Sequence, residues 1–374
     1  MSSTAENAFK VALQQAIFSC ATSSDALKAS RTQAPQIPED SPSPENVRSD
    51  FISILTLLYA RSTSLTLVLN ADSYSAAREP LTDIARDVTR LSHCAGLFSV
   101  FGPTIRSEAI WASEEVIDCI QTYLISFTRS KATGLSPEES KAALMLRVGS
   151  IHNTIDRLKA SFSADNRTAV VKRWQSDASH LDDALREVKE MIEEAEGDNP
   201  TESVEGDFDD GWGEILDGQA SKLAGHEVET AKKVCITTHG FILKLSLAKQ
   251  VVLILRMVVL LHKRILSRII NPAIEGNLEL EQLLASSTGL AAGTDDTVAS
   301  LWSPQDPQQI ADRVAEVQKK IRDLRELLSM SGVLPPETQA TEHNVGSRID
   351  KKDIEWFHMC FAQIDKAVKN TNSV

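Results

Sequence analysis

Aromatic residues make up only 5% of the 374 positions, and Gly and Pro number 16 and 13. A many-stranded β fold therefore lacks both its packing residues and its turn residues. The five cysteines (Cys20, Cys94, Cys119, Cys235 and Cys360) are scattered, with no CxxC pair. A disulfide framework or a zinc site needs closer and more regular spacing, so these read as reduced thiols of a cytosolic or nuclear protein. Long apolar runs are missing too. The most apolar stretch, 241–270, is interrupted by Lys244, Lys249, Arg256, His262, Lys263 and Arg264, far short of the ~20 clean residues of a membrane span. It reads as a buried helix, and no membrane association is expected. The opening MSSTAENAFK has no apolar segment of the secretory kind. Positive charge is in deficit: the formal net charge is −13, which argues against nucleic acid as a direct ligand.

Chemistry-bearing motifs are absent as well. There is no GxxxxGK[ST] or GxGxxG phosphate loop, no HExxH and no GxSxG elbow. His93-Cys94 and His358-Met359-Cys360 do not have metal-ligand spacing. No catalytic residue, cofactor or metal site is therefore expected, and the protein reads as a non-enzyme.

What is present is helix. Leu, Ala, Glu, Lys and Gln are many, and apolar residues recur at steps of three and four. Phe51, Ile54, Leu55, Leu58, Ser62, Leu65 and Leu69 form one stripe. Val170, Trp174, Ala178, Leu181, Leu185, Val188 and Ile192 form a second, and Ile310, Val314, Val317, Ile321, Leu324 and Leu328 a third. A fourth, Ile354, Phe357, Phe361, Ile364 and Val368, lies near the C-terminus. Prolines punctuate these runs at their starts. Ser136-Pro137-Glu138-Glu139 and Asp306-Pro307-Gln308-Gln309 have the form of capping boxes, and Ser43-Pro44 and Gly102-Pro103 mark two more starts. The pattern predicts helices near 5–22, 44–70, 80–100, 104–129, 137–163, 166–196, 220–271, 276–302 (interrupted around 289–294), 307–331 and 349–369. Segments 32–46 and 334–346 read as mobile.

Residues 190–217 hold twelve Asp or Glu and no Lys or Arg, almost the whole charge excess. Such a run reads as a solvated linker or an interaction segment. Asp207-Phe208-Asp209-Asp210-Gly211 fails as an EF-hand, because Trp212 and Gly218 stand where Gly and Glu are needed. Phe208, Asp209, Asp210 and Trp212 remain as a candidate partner contact, two rings among carboxylates that suit a basic, apolar groove. The alternative is that both rings anchor the linker on its own bundle. Among the Ser-Pro dipeptides at 41, 43, 136 and 303, only Ser41 lies in a segment read as mobile, and it is the candidate phosphosite. Arg264-Ile265-Leu266 and Arg322-Asp323-Leu324 match an Arg-x-Leu docking pattern, but inside predicted helices.

Several stretches in order carry a resemblance. They are Val148-Gly149-Ser150-Ile151, then Asp165-Asn166-Arg167-Thr168-Ala169-Val170, then the helix from Asp182 to Glu190. An acidic linker ending near Trp212 and a helix over 231–248 follow. Last comes Thr294-Asp295-Asp296-Thr297-Val298-Ala299-Ser300-Leu301-Trp302-Ser303-Pro304. Over most of 45–330 this order resembles the cyclin-D-interacting (GCIP-like, cyclin-D-binding) protein family. The resemblance implies an all-helical protein related in architecture to vinculin and α-catenin bundles. It also implies protein partners of the cyclin or helix-loop-helix type, a role in restraining the cell cycle, and a place in nucleus and cytoplasm.

The expected architecture is all-α, with two long antiparallel bundles over 1–197 and 218–374 joined by an acidic linker at 198–217. The last helix packs either with the second bundle or back on the first. A protein-interaction regulator is the leading function, and a vinculin-type cytoskeletal or adhesion scaffold is the alternative. A third reading, a site assembled from His152, Asp156 and His180, would make the protein a helical enzyme.

Overall fold

Every described element is a helix, as the spacing predicts. The structure, a computed structural model, describes residues 2–32, 43–71, 73–129, 137–196, 237–271, 276–302, 306–335 and 349–371. Among them stand ten α-helices and no strand: α1 (Ser2–Thr32), α2 (Pro44–Asn70), α3 (Arg78–Leu97), α4 (Pro103–Arg129), α5 (Pro137–Ser161), α6 (Asn166–Glu196), α7 (Thr237–Ile265), α8 (Asn277–Ser300), α9 (Pro307–Met330) and α10 (Lys351–Thr371). A 3-10 turn, Phe98–Val100, follows α3, and a π-turn, Leu266–Ile270, follows α7. The chain divides into two compact units, Met1–Lys172 and Arg173–Val374. That division falls within α6, whereas the linker expected at 198–217 lies outside the described residues.

In the first unit α3 packs against α1, α2 and α4, and α5 closes the other side against α2 and α4. The stripe read on α2 faces inward: Phe51, Ile54, Leu55, Leu58, Ser62 and Leu65 are all buried. Phe51 stacks on Phe162 at 4.8 Å, and Phe98 meets both rings edge-on. Each such side chain contributes about 1.5–3 kcal/mol when fully buried. Arg48 of α2 donates to the carbonyls of Phe162 (3.3 Å) and Ser163 (3.2 Å), tying down the chain between α5 and α6. By length and composition α2 could also cross a membrane, but its apolar face is the one turned to this core.

The helix starts follow local chemistry. Ser43 accepts from the Asn46 N–H at 3.3 Å and Asp306 from that of Gln308 at 2.9 Å, each with Pro at the first helical position. At α4 the capping group comes from elsewhere. Gly102 has φ +149°, and a Cβ there would overlap the Asn166 carboxamide. The Asn166 side chain fills that space and accepts from the Ile105 N–H at 3.0 Å.

The second unit is built on α7, whose residues from Leu247 on are buried on nearly every side. The last helix, α10, packs against α7 and α9, and its Asp353 takes Arg264 at 2.6 Å and Arg268 at 3.7 Å. Helices α8 and α9 pack against each other. The interruption expected near 289–294 is absent, because Gly293 serves the packing instead: a Cβ there would meet Lys320 Cε at 2.9 Å. Helix α1 also runs ten residues beyond the predicted end at 22. Its poor helix formers Ser23 and Ser24 are buried along with Leu27, so tertiary packing overrides propensity.

Candidate functional site

The second unit has a polar centre that no sequence motif announces. Asp177 of α6 replaces Ala178 on the inward line between Trp174 and Leu181 and is 1% exposed. Its Oδ2 accepts from Ser287 (2.7 Å) and Thr288 (3.0 Å) of α8, and Arg173 stands 3.8 Å from its other oxygen. Ser287 also meets His262 Nε2 of α7 at 2.7 Å. Trp174 stacks on the His262 ring at 4.3 Å and donates its indole N–H to the His262 carbonyl at 3.1 Å.

The order of these groups decides what they can do. Ser287 has one proton and gives it to Asp177, so His262 Nε2 must be a donor and Nδ1 carries the bare lone pair. Nδ1 is buried and has no partner among the described residues. A nucleophile is activated when the imidazole lone pair faces the hydroxyl and the carboxylate holds the opposite N–H; here both relations are reversed. Burial, with a smaller push from Lys263, lowers the His262 pKa to about 3, so the ring stays neutral and the cluster acts as a buried polar joint between three helices. The thiols are equally inert in this setting: burial raises Cys20 and Cys360 to about 12 and Cys94 to about 11.

The three residues of the enzyme reading fall into different settings. His152 stacks on Tyr59 at 3.7 Å and meets the hydroxyls of Thr63 (3.0 Å) and Ser62 (3.4 Å), and burial lowers its pKa. Asp156 follows one turn later on the same helix. His180 belongs to the second unit, where its charge acts on Asp295. Burial raises the Asp295 pKa, and Asp296 and Glu187 add repulsion. Glu187 accepts the indole N–H of Trp302 at 2.9 Å. No group of three or more His, Cys, Asp or Glu suited to a metal occurs among the described residues.

Sequence reasoning missed the exposed aromatic on α4. Trp111 is 51% exposed and lies beneath the Arg157 guanidinium, 5.8 Å from the ring centre. Arg157 is itself ion-paired with Glu115, and Lys172 with Glu108 (2.6 Å). Trp111 therefore sits in a frame of ion pairs from α4, α5 and the start of α6, the arrangement of an interface anchor. The available signal was a Trp flanked by Glu at 108 and 115, one helical turn to either side. Of the predicted site residues, Phe208, Asp209, Asp210, Trp212 and Ser41 all lie outside the described residues. The first Arg-x-Leu match runs from the end of α7 into the π-turn and the second lies inside α9, with Ile265 and Leu324 buried, so neither offers an extended docking chain.

Residues 50–194 match the family model described as Grap2 and cyclin-D-interacting, N-terminal. The matched stretch runs from α2 to the last turn of α6 and includes Trp111. The resemblance read from the sequence is therefore shown over these residues, and the chain is GCIP-like there. No curated protein matches the chain.

Proposed function

We propose that this protein is a non-enzymatic interaction regulator that binds a D-type cyclin or a helix-loop-helix factor and restrains cell-cycle progression, in cytoplasm and nucleus and without a cofactor. The observation that carries the reading is the match of 50–194 to a family described as cyclin-D-interacting. The wiring of the Asp177–Ser287–His262 cluster supports the non-enzymatic part, since its imidazole cannot act as base toward the serine. We infer for each unit the up-and-down antiparallel order of vinculin-type bundles, because links of a few residues favour antiparallel neighbours. We assign the partner contact to the α4–α5 face around Trp111.

Calorimetry of the full chain against purified D-type cyclin, and separately against a helix-loop-helix dimerisation domain, tests this. Trp111→Ala should weaken the complex by about 10- to 30-fold, the effect of losing a central aromatic anchor, with circular dichroism unchanged. Absence of binding to both proteins at 100-fold excess would overturn the proposal. Pelleting with F-actin in that case would favour the adhesion-scaffold alternative.

A further inference from the structure

Helix α1 has an outward face that its own unit leaves unused. Phe9, Leu13, Ala16, Cys20 and Leu27 are buried where α1 packs against α3 and α4. Val11 and Phe18 project from the opposite side of the helix, within about 20° of each other at about 100° per residue. They are 64% and 68% exposed, so the core gains little from either side chain. Gln14, Gln15 and Thr22, also exposed, complete the face. A valine and a phenylalanine seven residues apart have the spacing of a helix-pairing seam.

Charge narrows what can cover it. No residue from Val11 to Ser24 is charged, although the chain carries a net −13. The charges at either end are answered within the helix: Lys10 pairs with Glu6 at 3.1 Å and Lys28 with Asp25 at 4.0 Å. A strongly charged partner gains nothing from such a face. A second copy of an acidic chain is repelled over most of its surface and can approach where charge is missing. Twofold pairing also requires every contact to be matched by its reverse. Val11 and Phe18 are equally far from the midpoint between Gln14 and Gln15, so an antiparallel pair about that point sets each valine against the phenylalanine of the other copy.

We propose that α1 pairs antiparallel with α1 of a second copy of this chain, through Val11 and Phe18, with Gln14 and Gln15 flanking the twofold axis. Two such faces, ~21 Å long and ~10 Å wide, bury roughly 800–1,000 Å² in all, below the usual range for a tight complex. The dimer is therefore weak, with a dissociation constant on the order of 10–100 µM. Dilute protein is monomeric, and local crowding or a shared scaffold brings two copies together.

Sedimentation equilibrium of the full chain, from about 1 to about 300 µM, tests the pairing. The mean mass should rise from 40.9 kDa toward twice that value across the range. Phe18→Glu sets a carboxylate against the valine of the other copy and should weaken the dimer about tenfold or more. Val11→Lys/Phe18→Glu sets each new ammonium against a new carboxylate and should bind about three- to tenfold tighter than Phe18→Glu, a recovery lost in about 0.5 M salt. Both positions face solvent, so circular dichroism should be unchanged in every variant. The proposal is overturned if the parent chain keeps its monomer mass at the top of the range. It is overturned equally by a dimer that Phe18→Glu leaves intact, which would place the contact on another surface. A Val11→Lys/Phe18→Glu variant no tighter than Phe18→Glu would overturn the antiparallel pairing.

Discussion

Asp177→Ala probes the buried joint most directly. The substitution removes the acceptor of two hydroxyl donors, Ser287 at 2.7 Å and Thr288 at 3.0 Å. Hydrogen bonds to a charged group contribute about 1.5–3 kcal/mol each. Thr288 is exposed and can turn toward solvent, whereas Ser287 is fully buried. The Ser287 proton could swing to His262 Nε2, but the imidazole proton would then sit on Nδ1, which has no partner among the described residues. Rearrangement exchanges one buried orphan for another, so the expected cost is about 3–4 kcal/mol. Ser287→Ala strands Nε2–H and leaves Asp177 Oδ2 with the Thr288 hydroxyl alone, and should cost about 2 kcal/mol. The double variant should fall short of the sum by about 2 kcal/mol, because the second change removes groups the first has already orphaned. Urea unfolding followed by the fluorescence of Trp174, which stacks on His262, reports the second unit. At a slope of about 2 kcal/mol per molar, Asp177→Ala should lower the midpoint by about 1.5–2 M. A loss below 1 kcal/mol, or strict additivity in the double variant, would refute the proton accounting.

Two further outcomes follow from single side chains. His262 is held near 3 in the fold but titrates near 6.5 when unfolded, so between those values the unfolded chain binds the extra proton; stability is full above about pH 6.5 and falls on acidification by about 1.4 kcal/mol per pH unit. His262→Gln should remove that share of the slope and leave the smaller one from His152, and an unchanged slope between pH 6.5 and 5 would contradict the assignment. Gly102→Ala should cost about 3 kcal/mol through backbone strain and loss of the Asn166 cap, and a variant as stable as the parent in urea would mean that the close approach is not real.

Helix identity was legible wherever a stripe was long and apolar. Ile310, Val314, Val317, Ile321, Leu324 and Leu328 are all buried on α9, and Ile354, Phe357, Phe361, Ile364 and Val368 on α10. What escaped was set by contacts between distant residues. Gly289 and Gly293 have the look of a break, but the missing side chain at Gly293 lets Lys320 approach α8. The tail of α1 holds Ser and Thr that would leave a helix in isolation, and burial keeps Ser23 and Ser24 in it. Asp177, Ser287 and His262 are separated by up to 110 positions, and only the fold of the second unit brings them together. Trp111 was visible in the sequence but not its exposure, since periodicity alone cannot tell a surface tryptophan from a core one. The acidic segment with Phe208 and Trp212 is unmistakable in composition, yet composition is silent on what it touches.

Asn166 has a consequence for how the first unit opens. It stands in the first turn of α6, is 3% exposed, and its amide closes the first turn of α4 through Ile105. Asp165 caps α6 beside it, accepting from the Thr168 N–H at 2.7 Å. The beginnings of two helices thus share one hinge pin. Fraying the start of α6 withdraws the stopper from α4, and a solvent molecule entering at Gly102 releases both. Their amide protons should exchange as a single cooperative group, an unfolding unit that spans about 60 residues of sequence and one side chain of space.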